Sequence, residues 1–305
     1  MSIRRVAHAG IIADSVDSRF NAWNPHSRET RSHSSPNPSR GGVNPLDSEP
    51  PTERPPMTLS AKSIPDSRIL VVGAGGGIGR ATVSRLLARG ARVIGASRSL
   101  DSLSDLTGLE SVHTLDARDP DAVERLVGTL HTESPITGIV NLAGCITLKP
   151  AHLVSTEEWN ETIATKLTTA FACVRAAGRH LKAGGSVVLV STVAAGTGLS
   201  NHEAIAAAGA GIEGLARAAA ATYAARRLRF NVVAPGLVDT PLASRITGSE
   251  RALEHSRKMH PLGRIGVAED VSPAIDWLLS DDSSWVTGQT IGIDGGLGAL
   301  RVPAT

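Results

Sequence analysis

The stretch of this 305-residue chain whose composition most directly implies chemistry is Gly73-Ala-Gly-Gly-Gly-Ile-Gly79. Glycines at Gly73, Gly76, Gly77 and Gly79 let the backbone turn sharply and approach a ligand with no Cβ in the way. An apolar run, Ile69 to Val72, precedes the loop, and helical spacing from Ile78 to Arg89 follows it. Amides opening a helix at Gly77, Ile78 and Gly79 face an anion, and the matching ligand is the pyrophosphate of a dinucleotide. The end of the next strand reads which one. A carboxylate there would take the ribose 2′-hydroxyl, whereas a cation accommodates a 2′-phosphate. The chain has Ser97-Arg98 and no carboxylate before Asp101, which points to NADP, with NAD as the alternative.

Other reactive types carry less. Cys145 and Cys173 have no adjacent cation to depress a thiol pKa and read as small buried hydrophobes. The ten histidines show no metal-ligand spacing. His255 and His260 flank Met259 and read as surface histidines, within a segment, Ala243 to Met259, suited to cover a substrate. There is one tyrosine, Tyr223.

The elements that must position these residues alternate in type. Short apolar strands are expected at 69–72, 92–96, 111–115, 138–142, 185–191, 229–234 and 289–293. Helices are expected at 78–89, at 119–130 with Asp119 and Pro120 opening it, and as two long helices, 157–182 and 203–226. Ser200-Asn-His-Glu203 has the spacing of a capping box, and Thr240-Pro241 that of a helix start. This order implies an α/β fold: a doubly wound, mainly parallel sheet of the Rossmann type, in a single domain over residues 57–305. Residues 1–56 hold eight of the 17 prolines, with sparse apolar residues, and read as a disordered Pro/Ser/Arg-rich leader. Met57 is the alternative start. A formal net charge of +2 and no basic–aromatic interleaving argue against nucleic acid, and no uninterrupted apolar run approaches a membrane span. A cytoplasmic protein acting on a small molecule is expected.

Several motifs in order resemble the short-chain dehydrogenase/reductase superfamily. They are the loop Gly73-xxx-Gly77-x-Gly79, Asn141-Leu-Ala-Gly144, Asn231-Val-Val-Ala-Pro-Gly-Leu-Val-Asp-Thr240, Pro261-Leu-Gly-Arg264 and Asp294-Gly-Gly296. The resemblance covers residues 67 to about 300 and implies a nicotinamide cofactor. It implies cofactor contacts from Asp116 and Ala117, from Asn141, Ala143 and Gly144, and from Pro235, Gly236 and Val238. It also implies a homodimer or homotetramer, through the two long helices.

The same resemblance exposes a departure. Family catalysis uses a Tyr, a Lys four residues on, a Ser and an Asn. Aligned through Gly214-Leu215-Ala-Arg-Ala218, those positions hold Ile205, Gly209, Thr192 and Lys166. Tyr223 lies 12 residues before Pro235 where Ile205 lies 30 before it. The difference is roughly 27 Å of helix, so Tyr223 is expected to be a packing residue. One reading is an oxidoreductase of a small carbonyl or alcohol with a rearranged acid–base set. Lys166 reaches into the space vacated at Gly209 to hold the ribose, Thr192 supplies the hydroxyl, and His202, or alternatively Glu203, supplies the proton. The alternative is a silent dinucleotide-binding scaffold, sensor or partner subunit.

Overall fold

The computed structural model describes residues 67–301; the expected leader lies outside the described residues. Seven strands form the main sheet. They are β1 (Arg68–Val72), β2 (Arg92–Ser97), β3 (Ser111–Thr114), β4 (Gly138–Asn141), β5 (Gly185–Val190), β6 (Leu228–Pro235) and β9 (Thr290–Ile293). Two short strands, β7 (Val238–Asp239) and β8 (Gly266–Val267), pair separately. The main sheet has the order β3-β2-β1-β4-β5-β6-β9, and every neighbouring pair is parallel. Central strands such as Ile69-Leu-Val-Val72 are apolar throughout because helices cover both faces. The strand order reverses between β1 and β4, and a crevice opens there beyond the strands' carboxyl ends.

One face of the sheet carries α2 (Pro120–Glu133), α4 (Thr169–His180) and α5 (Glu203–Tyr223). The other carries α1 (Gly77–Ala88) and α8 (Ala268–Leu279). Asp276 of α8 is buried and accepts from Arg85 Nε and Arg89 Nη1, both at 2.9 Å, which fastens α8 to α1. Helix α2 starts as its sequence demands, with the Asp119 carboxylate accepting from the amides of Asp121 and Ala122 at 2.9 and 3.2 Å. Helix α5 is long and apolar enough to cross a membrane, yet Ile212, Ala216, Ala219 and Ala220 are buried in the core beneath it. Its small side chains let it lie close to the sheet.

Tyr223 ends α5 as a packing residue. Its ring lies 5.6 Å from that of Phe230, and the Arg226 guanidinium sits 5.2 Å from its centroid. A Cβ at Gly178 would meet the Tyr223 hydroxyl at 2.5 Å, so only glycine admits the phenol there.

Two expected helix starts differ. Glu203 forms no capping box with Ser200: α5 opens at His202 with no side-chain cap, and Glu203 Oε1 accepts from the Ala151 amide at 3.4 Å. Thr240-Pro241 opens only a three-residue 3₁₀ turn, again without a side-chain cap. The chain bends there into the covering segment, which consists of α6 (Ser244–Thr247) and α7 (Glu250–Met259).

Candidate active site

The crevice deepens into a cavity of about 680 Å³ between the glycine loop, the ends of β4, β5 and β6, and the covering helices. Gly76, Gly77, Ile78 and Gly79 line one wall. Gly73, by contrast, forms the turn behind the loop. Its φ is +83°, and a Cβ would approach the Ala143 amide nitrogen to 2.9 Å. The N-cap of α1, Gly76, has no side-chain partner and there is no acidic residue in the first turn. Helix amides are thus left for an anion. A Cβ on Gly76 would meet only Gly73 O, at 3.5 Å, so the loop leaves a cradle of the kind a pyrophosphate fills.

The other expected cofactor residues divide in two. Ala143, Gly144, Pro235, Gly236 and Val238 line the cavity. Ser97, Arg98, Asp116, Ala117 and Asn141 do not. Ser97 ends β2 and Arg98 follows it, and the Ser97 hydroxyl lies 2.8 Å from that of Ser102. Arg118 grips the Asp116 carboxylate, which lies below its ordinary pKa for that reason, and also reaches Glu161. Asn141 is buried and structural. It donates to Thr169 Oγ1 at 3.0 Å and accepts from the Ala143 amide at 3.3 Å, which locks the end of β4 against α4.

Lys166, Thr192 and His202 all line the same cavity. Helix α3 (Thr156–Ile163) runs into a π turn, Ala164–Thr168, before α4 begins, and Lys166 stands at its centre. Such an extra-residue turn re-aims side chains, and it recurs at functional sites. Lys166 is only 8% exposed and has no hydrogen-bond or ion-pair partner among the described residues. Its Nζ would lie 3.9 Å from a Cβ on Gly144. Burial holds the ammonium below the usual lysine range. The neighbouring Cys145 thiol is raised by its own burial, with Lys166 pulling the other way, while fully buried Cys173 is pushed up to about 12.

The space expected at Gly209 is not there. A Cβ on Gly209 would come within 2.9 Å of Ser191 Oγ, 3.0 Å of Thr192 Cγ2 and 3.1 Å of Ala195 Cβ. Helix α5 has closed onto the end of β5, and Ser191 Oγ donates to Glu213 Oε1 at 3.0 Å in the same place. Lys166 therefore faces Gly144 and Cys145 rather than a gap in α5. Ile205, at the cavity wall, is buried. Thr192 Oγ1 accepts from the Ala194 amide at 3.3 Å. His202 Nδ1 donates to Ser200 O at 2.7 Å, so its Nε2 is the nitrogen left for a ligand or solvent.

Two features escaped sequence reasoning. His260 is no surface histidine: it is buried, with Nδ1 donating to Ser256 O at 2.6 Å and Nε2 accepting from the Leu237 amide at 3.2 Å. It pins the end of α7 to the loop after β6. The Ser191–Glu213 pair was also hidden, because only folding brings β5 against that turn of α5. A carboxylate one helical turn from Gly209 was its one local signal.

A family model described as enoyl-(acyl carrier protein) reductase matches residues 73–298. The cis-4-hydroxycyclohexanecarboxylate dehydrogenase of Sinomonas cyclohexanicum is 36% identical over 241 residues, covering 76% of this chain and 96% of its own length. The 3-oxoacyl-(acyl-carrier-protein) reductase FabG of Salmonella typhimurium is 32% identical over 235 residues, covering 75% of this chain and 96% of its own. Among solved structures, a short-chain type dehydrogenase/reductase from Mycobacterium ulcerans superposes with a TM-score of 0.73 at 30% identity. It covers 78% of this chain and 92% of its own.

Proposed function

The chain belongs to the short-chain dehydrogenase/reductase superfamily and is an NAD(P)-dependent oxidoreductase, and from that premise we propose that it interconverts a small carbonyl and its alcohol through Lys166, Thr192 and His202. The observation that carries this reading is Lys166, a buried cation without a partner in the cavity that also holds the glycine loop. With no protein partner among the described residues, that amine is left to donate to a ligand in the cavity.

A nicotinamide held here would supply or take the hydride. The amides of Gly77, Ile78 and Gly79 hold the pyrophosphate, and Ala143, Gly144, Pro235, Gly236 and Val238 enclose the nicotinamide end. Lys166 donates hydrogen bonds to the ribose hydroxyls beside Gly144. Thr192 Oγ1 donates to the substrate oxygen, and His202 Nε2 passes a proton between that oxygen and solvent. General acid–base groups of this kind contribute about 10²- to 10⁴-fold. NADP is the preferred form. Ser97 ends β2 with Arg98 next in the chain, and the carboxylate of Asp116, two residues past β3, is already held by Arg118. The relatives, a hydroxycyclohexanecarboxylate dehydrogenase and an oxoacyl reductase, agree with alcohol–carbonyl interconversion. Exposed Trp159 and Phe171 on α3 and α4 support pairing of subunits through the long helices, which light scattering would test.

Incubation of pure protein with NADPH and a panel of carbonyl compounds, followed by absorbance, tests the reading. Turnover is expected, and Lys166→Ala should weaken NADP binding about tenfold, the loss of one charge-assisted hydrogen bond. Tight NADP binding with no turnover would instead favour the silent scaffold. Unchanged binding by Lys166→Ala would remove Lys166 from the cofactor.

A further inference from the structure

The charges around the cavity are one-sided. Among the described residues no aspartate or glutamate lines it, whereas Lys166 and Arg245 do. Several nearby carboxylates are engaged away from it. Helix α7 presents Ala252, His255, Ser256 and Met259 to the cavity at helical spacing. Its Glu250 and Glu254 instead pair with Arg257 and Lys258 at 3.4–3.7 Å. Glu203 accepts from the Ala151 amide, and Asp294 accepts from the amides of Gly296 and Gly298 at 2.9 and 3.0 Å.

Arg245 stands on α6 in the covering segment. Among the described residues it has neither an ion-pair nor a hydrogen-bond partner, in a protein where most arginines have one. His255 lies on the neighbouring helix, also without a partner. His260 adds no positive charge, since one ring nitrogen donates and the other accepts. Ile146, Leu148, Leu199, Leu242, Ile246 and Leu297 give the wall its apolar part, beside the polar Thr192, Ser200, Asn201 and His202. A partly apolar cavity lined by one unpartnered guanidinium, that of Arg245, and by no carboxylate among the described residues suits an amphipathic monoanion. A guanidinium matches a carboxylate with two parallel hydrogen bonds. A phosphate dianion would call for more donors than this cover has.

We infer that the substrate is an organic carboxylate with an apolar body, its carboxylate held by Arg245 and His255 in the cover and its carbonyl or carbinol carbon at the Thr192 end. This deepens the oxidoreductase reading and rests on it. It also makes the cover part of the recognition: Arg245 would draw α6 over the occupied cavity.

Calorimetry on the NADP⁺-loaded protein separates the possibilities. Hexanoate and benzoate are each titrated against the neutral amide of the same shape. At least one acid is expected to bind about tenfold or more tightly than its amide, and Arg245→Gln should erase that preference while leaving the Kd for NADP⁺ unchanged. Arg245 is exposed, so the variant should fold, and an unchanged melting temperature checks it. Equal binding of acids and amides would overturn the inference. So would an Arg245→Gln protein that loses NADP⁺ affinity but keeps the acid preference, since Arg245 would then serve the cofactor's pyrophosphate. Failure of the wild type to bind NADP⁺ counts against the oxidoreductase reading alone. The acid–amide comparison on nucleotide-free protein then decides the carboxylate site by the same criterion.

Discussion

Gly209 and Gly214 lie on the same helix, and the structure predicts opposite responses to the same change. Replacing either with alanine gains about 1 kcal/mol of helix propensity, because alanine loses less backbone freedom on folding. At Gly214 nothing lies within 4 Å of the new Cβ, so the gain should appear in full. At Gly209 the new Cβ meets Ser191 Oγ at 2.9 Å, Thr192 Cγ2 at 3.0 Å and Ala195 Cβ at 3.1 Å. Ser191 cannot swing aside freely, since its hydroxyl is held by Glu213. Overpacking of this kind costs about 1–3 kcal/mol. The net change at Gly209 is therefore a loss of up to about 2 kcal/mol, set against a gain of about 1 at Gly214. For a domain of this size 1 kcal/mol moves Tm by about 2–4 °C. Thermal unfolding by circular dichroism should show Gly214→Ala melting higher and Gly209→Ala melting lower than wild type. If Gly209→Ala melted as high as Gly214→Ala, the closure of α5 onto β5 would be wrong. The account of why no lysine stands at that position would fail with it.

Three further predictions concern the site. Burial lowers the Lys166 pKa, so the unfolded chain binds more protons than the folded one between that lowered value and the ordinary lysine value of about 10.4. Stability should rise with pH across that window, and urea titrations of Lys166→Met should show this component gone. Removing the His260 ring in His260→Leu leaves the Leu237 amide unpaired, while the Ser256 carbonyl keeps the residue-260 backbone amide, at a cost of about 1–3 kcal/mol. Limited proteolysis should then cut within α7 faster than in wild type, and equal cutting would remove His260 as the pin. Arg98→Ala should weaken NADP binding about tenfold and leave NAD unchanged, as read by nucleotide fluorescence titration. A parallel loss for both would make Arg98 an adenine contact only.

Much of this protein was legible along the chain. Strands such as Ile69–Val72 and Val187–Val190 are uniformly apolar because parallel strands are buried on both faces, so composition alone marks them. The glycine loop between strand and helix is equally local: its chemistry resides in backbone amides and in side chains that are missing. The remoteness of Tyr223 follows from counting residues along one rigid helix. What the chain could not disclose is how separate elements close on one another. Gly209 suggested vacant space, but a glycine on a helix as often lets two backbones approach, and here Ser191, Thr192 and Ala195 occupy the space. His260 read as a surface residue because its two partners, Ser256 and Leu237, lie on different elements that meet only when the cover folds down. The direction of Lys166 depended on one π turn, which depends on backbone hydrogen-bond register rather than on side-chain pattern. The charge of the cavity, too, emerged only from packing, since which side chains line it was decided by how α6 and α7 fold over the strand ends.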